Sequence, residues 1–145
     1  MASSDKAKTQ ALQKVWETRG IRNNNPGNIK YRKNDPWVGQ VSQDKDGFAV
    51  FDKMEHGYRA LVLNGMNRAK ANPQGTVLDY VNRFANTSPE NERINYAKYI
   101  NEDPNTLLAA LDPYDVSNRQ AWFESRAVIT PEQQEYVRQM LKGRK

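Results

Sequence analysis

The stretch from residue 16 to residue 51 constrains the fold most, because it interrupts a chain that is otherwise patterned for helices. An amphipathic helical pattern runs into it and closes at Glu17, and Gly20 then predicts a helix stop. The turn-forming cluster NNNPGN follows at residues 23–28. Three short β-prone runs separated by polar loops come next, and they predict a small antiparallel sheet. These runs cover residues 28–31, 37–41 and 48–51.

The rest of the chain is a series of predicted helices with recognisable start signals. Asp52 and Glu55 have the spacing of a capping box ahead of a long helical pattern at residues 52–71. Capping-box spacing recurs at Thr76 and at Thr130, and Pro-containing start signals occur at Ser88 and Asp103. A chain of 145 residues fits one domain, and no internal repeat or linker divides it. We therefore predict an α+β fold, mostly helical, as a single domain over residues 1–145.

Composition excludes several kinds of chemistry. The chain has no cysteine and a single histidine, His56, so thiol nucleophiles, disulfides and multi-histidine metal sites are excluded. Neither a phosphate-binding loop nor a serine-nucleophile motif is present. We expect no cofactor and no metal. No apolar run is long enough to span a membrane, and the polar start MASSDKAKTQ does not resemble a signal peptide.

The net charge of +5 favours an anionic partner, such as nucleic acid, anionic lipid headgroups or the bacterial envelope. Basic and acidic residues are interleaved except in the last residues, MLKGRK. Nucleic acid is therefore not expected as the main partner.

Acid/base catalysis, if present, has to come from carboxylates. Glu17 lies beside Trp16, at the junction of the first predicted helix and the sheet, where a cleft could form and raise its pKa. Alternatively, Glu17 is an exposed acid paired with Arg19 or Arg22. Glu124 is its rival, since it also ends an aromatic helical segment, AWFES.

The inventory of other polar and aromatic residues suits a glycan ligand. Asparagine side chains pair with hydroxyl and acetamido groups, and aromatic faces stack on sugar rings. Asn23, Asn25 and Asn28, with Trp37, are the candidate sugar-binding residues near the turn. The asparagine cluster could equally be a stiff turn without a ligand.

The motif RGIRNNNPGNIKY, followed by WVG and GFAVFDKMEHGYRAL, resembles short bacteriophage and prophage proteins that are virion-associated or degrade peptidoglycan. The same order of segments is similar to the glucosaminidase branch of the lysozyme-like superfamily, which has an NLFGIK strand at this place. RFANTSPENERINYAKYI loosely resembles that branch's YATDP segment and the helix after it, with Tyr96 or Tyr99 as its tyrosine. The resemblance covers roughly residues 19 to 101.

The resemblance implies a lysozyme-like fold with a small sheet after the first helix, and cleavage of peptidoglycan glycan strands by a lytic transglycosylase, muramidase or glucosaminidase activity. Glu17 occupies the position of the family's general acid, and Glu124 takes that role if the helix order is permuted. Tyr96 would stabilise charge or orient the substrate. The partners would be glycan strands and other virion proteins, and the location would be the phage virion or the bacterial periplasm and cell wall. The alternative is a non-catalytic virion structural or assembly protein that keeps the fold.

Overall fold

The computed structural model describes residues 17–143, and the helical pattern predicted ahead of Glu17 lies outside them. The described part is a mixed α+β fold dominated by six α-helices, which confirms the predicted class. The helices are α1 (Arg19–Arg22), α2 (Met54–Ala71), α3 (Val77–Phe84), α4 (Glu90–Ile100), α5 (Pro113–Ser125) and α6 (Pro131–Leu141), with a 3₁₀ turn at Leu108–Ala110 between α4 and α5.

The sheet has two antiparallel strands, β1 (Gln40–Gln43) and β2 (Ala49–Phe51). The run predicted at residues 28–31 contributes only one isolated bridge, between Lys30 and Phe48. The run predicted at residues 37–41 begins three residues late, because residues 37–40 form a turn in which Gln40 N–H donates to the Trp37 carbonyl at 3.0 Å. Local β propensity thus located the sheet but not the strand ends.

Helix α2 is the central element and packs against α5 and α6. Its buried face includes Tyr58, Leu61 and Val62, in agreement with the predicted apolar stripe. The capping box predicted for Asp52 and Glu55 is wrong. The Asp52 carboxylate lies 2.6 Å from His56 Nδ1 instead, and Lys53 stands at the N-cap without a side-chain hydrogen bond.

The other helix starts follow the local rules more closely. Thr76 and Asp79 form a reciprocal capping box at α3, and Thr130 and Gln133 form one at α6. At α4 the helix begins after Pro89, one residue later than the sequence indicated. Within residues 17–143 no helix is long and apolar enough to cross a membrane.

Candidate active site at the end of helix α5

The RGIRNNNPGN motif docks on the C-terminal end of α5. The Thr18 hydroxyl donates to the Ser125 carbonyl at 2.7 Å, and the Ser125 hydroxyl donates to the Pro26 carbonyl at 2.8 Å. The prediction that Gly20 stops a helix is wrong, because Gly20 lies within α1 and packs against Ser125. A Cβ at Gly20 would stand 1.8 Å from Ser125 Oγ, so only glycine permits this approach.

Three side chains from outside the helix cap the last carbonyls of α5 by donating hydrogen bonds to them. Arg126, in a left-handed conformation at the C-cap, donates to the carbonyls of Trp122 and Phe123 at 2.9 and 3.0 Å. Asn28 lies 3.5 Å from the Glu124 carbonyl, and Thr18 takes that of Ser125. Glu124 is thereby fixed in the last turn of a helix whose end meets the asparagine cluster.

The Glu124 side chain is half-buried between the motif and the core. Asn28 Nδ2 donates to Glu124 Oε2 at 3.3 Å. Burial raises the pKa of the Glu124 carboxyl, and the Asn28 amide and the nearby Tyr96 hydroxyl oppose that rise without cancelling it. The negative end of the α5 dipole also disfavours a carboxylate here. Glu124 is therefore a carboxyl that holds its proton more tightly than an exposed glutamate.

Tyr96 and Phe123 form the aromatic wall beside this carboxyl. The two rings stack with centroids 4.1 Å apart, and Tyr96 is only 3% exposed. Burial raises the pKa of Tyr96 well above its ordinary value, and the charge of nearby Glu124 raises it further. The Tyr96 hydroxyl therefore stays protonated and can act as a hydrogen-bond donor beside the acid.

The structure places Glu17 near the same end of α5, because the next residue, Thr18, bonds to Ser125. Its side chain is half-buried, and its carbonyl accepts a hydrogen bond from Arg22 at 3.0 Å. No hydrogen bond or ion pair of the Glu17 carboxyl is found among residues 17–143. Its catalytic role stays a prediction.

Asn23 and Asn25 serve the fold of the motif itself. Asn25 is fully buried, and its amide nitrogen donates to the carbonyls of Ile29 and Ala49 while its oxygen accepts from Ile29 N–H. Asn23 Nδ2 donates to Asp44 at 3.0 Å. Of the three asparagines predicted to bind sugar, Asn28 is the one that reaches Glu124.

Trp37 is packed against the core of the protein. Its ring packs against three clusters of the core, with the Arg32 guanidinium 4.4 Å from the ring centroid. Its role in sugar binding stays a prediction.

Asp44, on the β1–β2 turn, interacts with two residues of the motif, Asn23 and Arg19. It accepts hydrogen bonds from Phe48 N–H, Asp46 N–H and Asn23, and Arg19 lies 3.6 Å away. Partial burial would raise the pKa of Asp44, but these donors and the Arg19 charge lower it below its usual value. Asp44 is thus an ionised carboxylate held by the turn.

Sequence reasoning did not identify Tyr80 and Gln120 as candidate site residues; Gln120 lies one helical turn before Glu124 in α5. The Tyr80 hydroxyl donates to Gln120 Oε1 at 3.0 Å, and both side chains are buried. The signal available was the four-residue spacing of Gln120 and Glu124, which puts both on one face of a helix.

Two surface depressions lie away from Glu124. One depression of about 470 Å³ lies between α2 and α6, lined by residues that include Met66, Lys70 and Arg138, and an open one of about 800 Å³ lies on α6. Neither is lined by Glu124. Among residues 17–143 no group of three acidic or histidine side chains is arranged to hold a metal ion. Comparison with protein-family models and with curated proteins finds no significant match to this chain.

Proposed function

We propose that this protein has a lysozyme-like fold and cleaves the β-1,4 glycan backbone of peptidoglycan with Glu124 as general acid and base. The observation that carries the proposal is the position of Glu124. It combines partial burial, a raised pKa, an amide donor from the motif and a neighbouring tyrosine hydroxyl. A general acid that works near neutral pH needs such an environment, because an exposed glutamate has already lost its proton.

The chemistry needs one proton donor. Glu124 gives its proton to the glycosidic oxygen as the bond to the anomeric carbon breaks. In a lytic transglycosylase the sugar's own hydroxyl then attacks that carbon, and its proton returns to the Glu124 carboxylate. A hydrolase normally needs a second carboxylate to activate water or act as nucleophile. Asp44 is one of the acids of the hairpin, but its oxygens are engaged by the turn and by Arg19. This favours the transglycosylase outcome.

Glycan binding is supported by solvent-exposed aromatic rings on α4 and α5, the helices that carry Tyr96 and Glu124. Tyr99 and Trp122 are 41% and 40% exposed, and Tyr99 leans on Phe123, the ring that stacks on Tyr96. Exposed rings of this kind are suited to stacking on sugars. The net charge of +5 suits an anionic cell wall. We infer a bacteriophage protein that acts from the virion or in the bacterial periplasm and cell wall.

The test is the loss of turbidity of purified peptidoglycan with two matched variants. Glu124→Gln is expected to lower clearing by at least about a hundredfold, the usual contribution of a general acid, while Glu17→Gln keeps it. The reverse result assigns the acid to Glu17. Urea unfolding of both variants checks that each is folded, and mass spectrometry of the released fragments distinguishes anhydro from reducing ends.

A non-catalytic virion component that keeps the fold is the second candidate. It is favoured by the hydrogen bonds of Asn23 and Asn25, whose side-chain amides bind other residues of the protein and so stabilise the turn. Absence of clearing by the wild-type protein over a range of salt and pH would establish this reading over the enzymatic one.

A further inference from the structure

A chain of hydrogen-bonded polar side chains runs from half-buried Asn64 in α2, through buried Tyr80 in α3, to buried Gln120 in α5. Asn64 Nδ2 donates to the Tyr80 hydroxyl oxygen at 3.4 Å, and Tyr80 donates to Gln120 Oε1 at 3.0 Å. Gln120 is fully buried in α5, one helical turn before Glu124. Buried polar groups are costly unless they are paired, so a chain of this kind needs a reason.

The direction of this chain is fixed by its first link. Since Asn64 donates to Tyr80, the single hydroxyl hydrogen of Tyr80 is left for Gln120 Oε1. That bond holds the Gln120 amide with its oxygen toward Tyr80, so its nitrogen is the group available to the other side. Every donor in the chain therefore points from the core toward the end of α5.

Gln120 Nε2 and the Tyr96 hydroxyl are buried and have no formed hydrogen bond to any residue in the range 17–143. The Gln120 amide lowers the pKa of Tyr96 and nearby Glu124 raises it, although burial is the larger cause of its rise. Gln120 Nε2 can donate to the Tyr96 hydroxyl oxygen, and the Glu124 carboxylate can accept from that hydroxyl, which is the order needed to continue the chain.

We propose that Tyr80 and Gln120 are positioning residues of the site, and that they orient the Tyr96 hydroxyl as a hydrogen-bond donor to the Glu124 carboxylate. The inference rests on the proposed function for its catalytic meaning, but the orientation itself is a property of the folded chain. The donors stabilise the ionised form of Glu124 and oppose the effects of burial and of the helix dipole. A glutamate in that balance can take its proton back after giving it, as an acid/base residue must.

The test measures the protonation of Glu124 directly, by titrating its side-chain carboxyl carbon in ¹³C-labelled protein by NMR, which needs no activity. Tyr96→Phe is expected to strengthen proton binding at Glu124 by about tenfold, since one hydrogen bond to a charged acceptor is lost. Gln120→Met and Tyr80→Phe are expected to act in the same direction with smaller effects. The double variant Tyr80→Phe/Tyr96→Phe should change proton binding no more than Tyr96→Phe alone, because the chain passes through Tyr96.

Tyr58→Phe is the matched control. Tyr58 is a fully buried tyrosine of α2 that also donates to a side chain of α5, Asn118, at 2.6 Å. Its substitution should cost comparable stability and leave the titration of Glu124 unchanged. A shift in this control as large as in Tyr80→Phe would overturn the proposal, because the effect would then follow from loosened packing.

The outcomes separate the orientation from the enzymatic activity. If the NMR shifts occur in the expected order but wild-type protein clears no peptidoglycan, the positioning holds and the proposed function fails. If the wild type clears peptidoglycan but Tyr80→Phe leaves the Glu124 titration unchanged, the positioning fails alone. Where clearing is present, the high-pH limb of its rate profile should move upward in the same variants. Tyr80→Phe decides the matter even if Gln120→Met does not fold.

Discussion

The fully buried Asn25 gives the sharpest test of whether the asparagine cluster is a structural turn. Its side chain makes three hydrogen bonds, at 2.8 Å to the Ile29 carbonyl, 2.9 Å to the Ala49 carbonyl and 2.9 Å from Ile29 N–H. Asn25→Ala removes all three. At about 1 kcal/mol each, with a further 1 kcal/mol or more for a buried N–H left unpaired, the loss comes to about 4 kcal/mol.

That loss is a large share of the roughly 5–15 kcal/mol that stabilises a domain of this kind. Urea unfolding followed by tryptophan fluorescence measures it. With a slope of about 2 kcal/mol per molar urea, the midpoint should fall by about 2 M. The reason for the effect is that Asn25 ties the turn both to residue 29 and to strand β2.

Asn28→Gly is the control from the same motif. Asn28 is half-buried and has a φ of 50° that glycine adopts freely, and within residues 17–143 the hydrogen bonds of its side chain go only to Glu124, at 3.3 and 3.5 Å. We expect a loss of about 1 kcal/mol or less, with any large effect confined to catalysis. If Asn25→Ala unfolded at the wild-type midpoint and lost only clearing activity, Asn25 would be a sugar ligand and the structural reasoning would be refuted.

Three further predictions concern other contacts. Gly57→Ala should destabilise the protein by about 3 kcal/mol, because the new Cβ would stand 1.8 Å from the Asn24 carbonyl oxygen. Gly65→Ala, in the same helix, should stabilise the protein by up to about 1 kcal/mol, because its Cβ would meet only Tyr80 Oη, at 3.6 Å. Thermal unfolding compares the pair, and equal signs would contradict the packing. The folded-state pKa of Glu124 is raised, so wild-type stability falls as pH rises from the unfolded value of about 4.3 through the folded value. Glu124→Gln should therefore be more stable than wild type at pH 7 but not below pH 4, and a difference independent of pH in urea unfolding counts against this. Thr130→Ala breaks the capping box of α6 and should lower the free energy of unfolding by about 1 kcal/mol in the same assay. An unchanged free energy of unfolding would mean that the cap is dispensable.

Helix starts show how far local sequence reaches. The boxes at Thr76 and Thr130 form as predicted, because both partners lie within three residues on one helix turn. Asp52 has the same spacing to Glu55 and forms no box, because it takes His56 as its partner instead. When several partners are equally near in sequence, packing chooses between them.

The candidate site shows the same division at longer range. The sequence alone identified the turn cluster, the mostly helical α+β class and both glutamates as candidate acids. It could not show that Asn28 meets Glu124, 96 residues further along the chain, or that Gly20 is needed for contact with Ser125. Caps, turns and apolar stripes depend on neighbours a few residues apart and so can be read from the chain. The packing of distant segments determines which acid is buried away from solvent and which asparagine contacts it. Only the tertiary structure decided that.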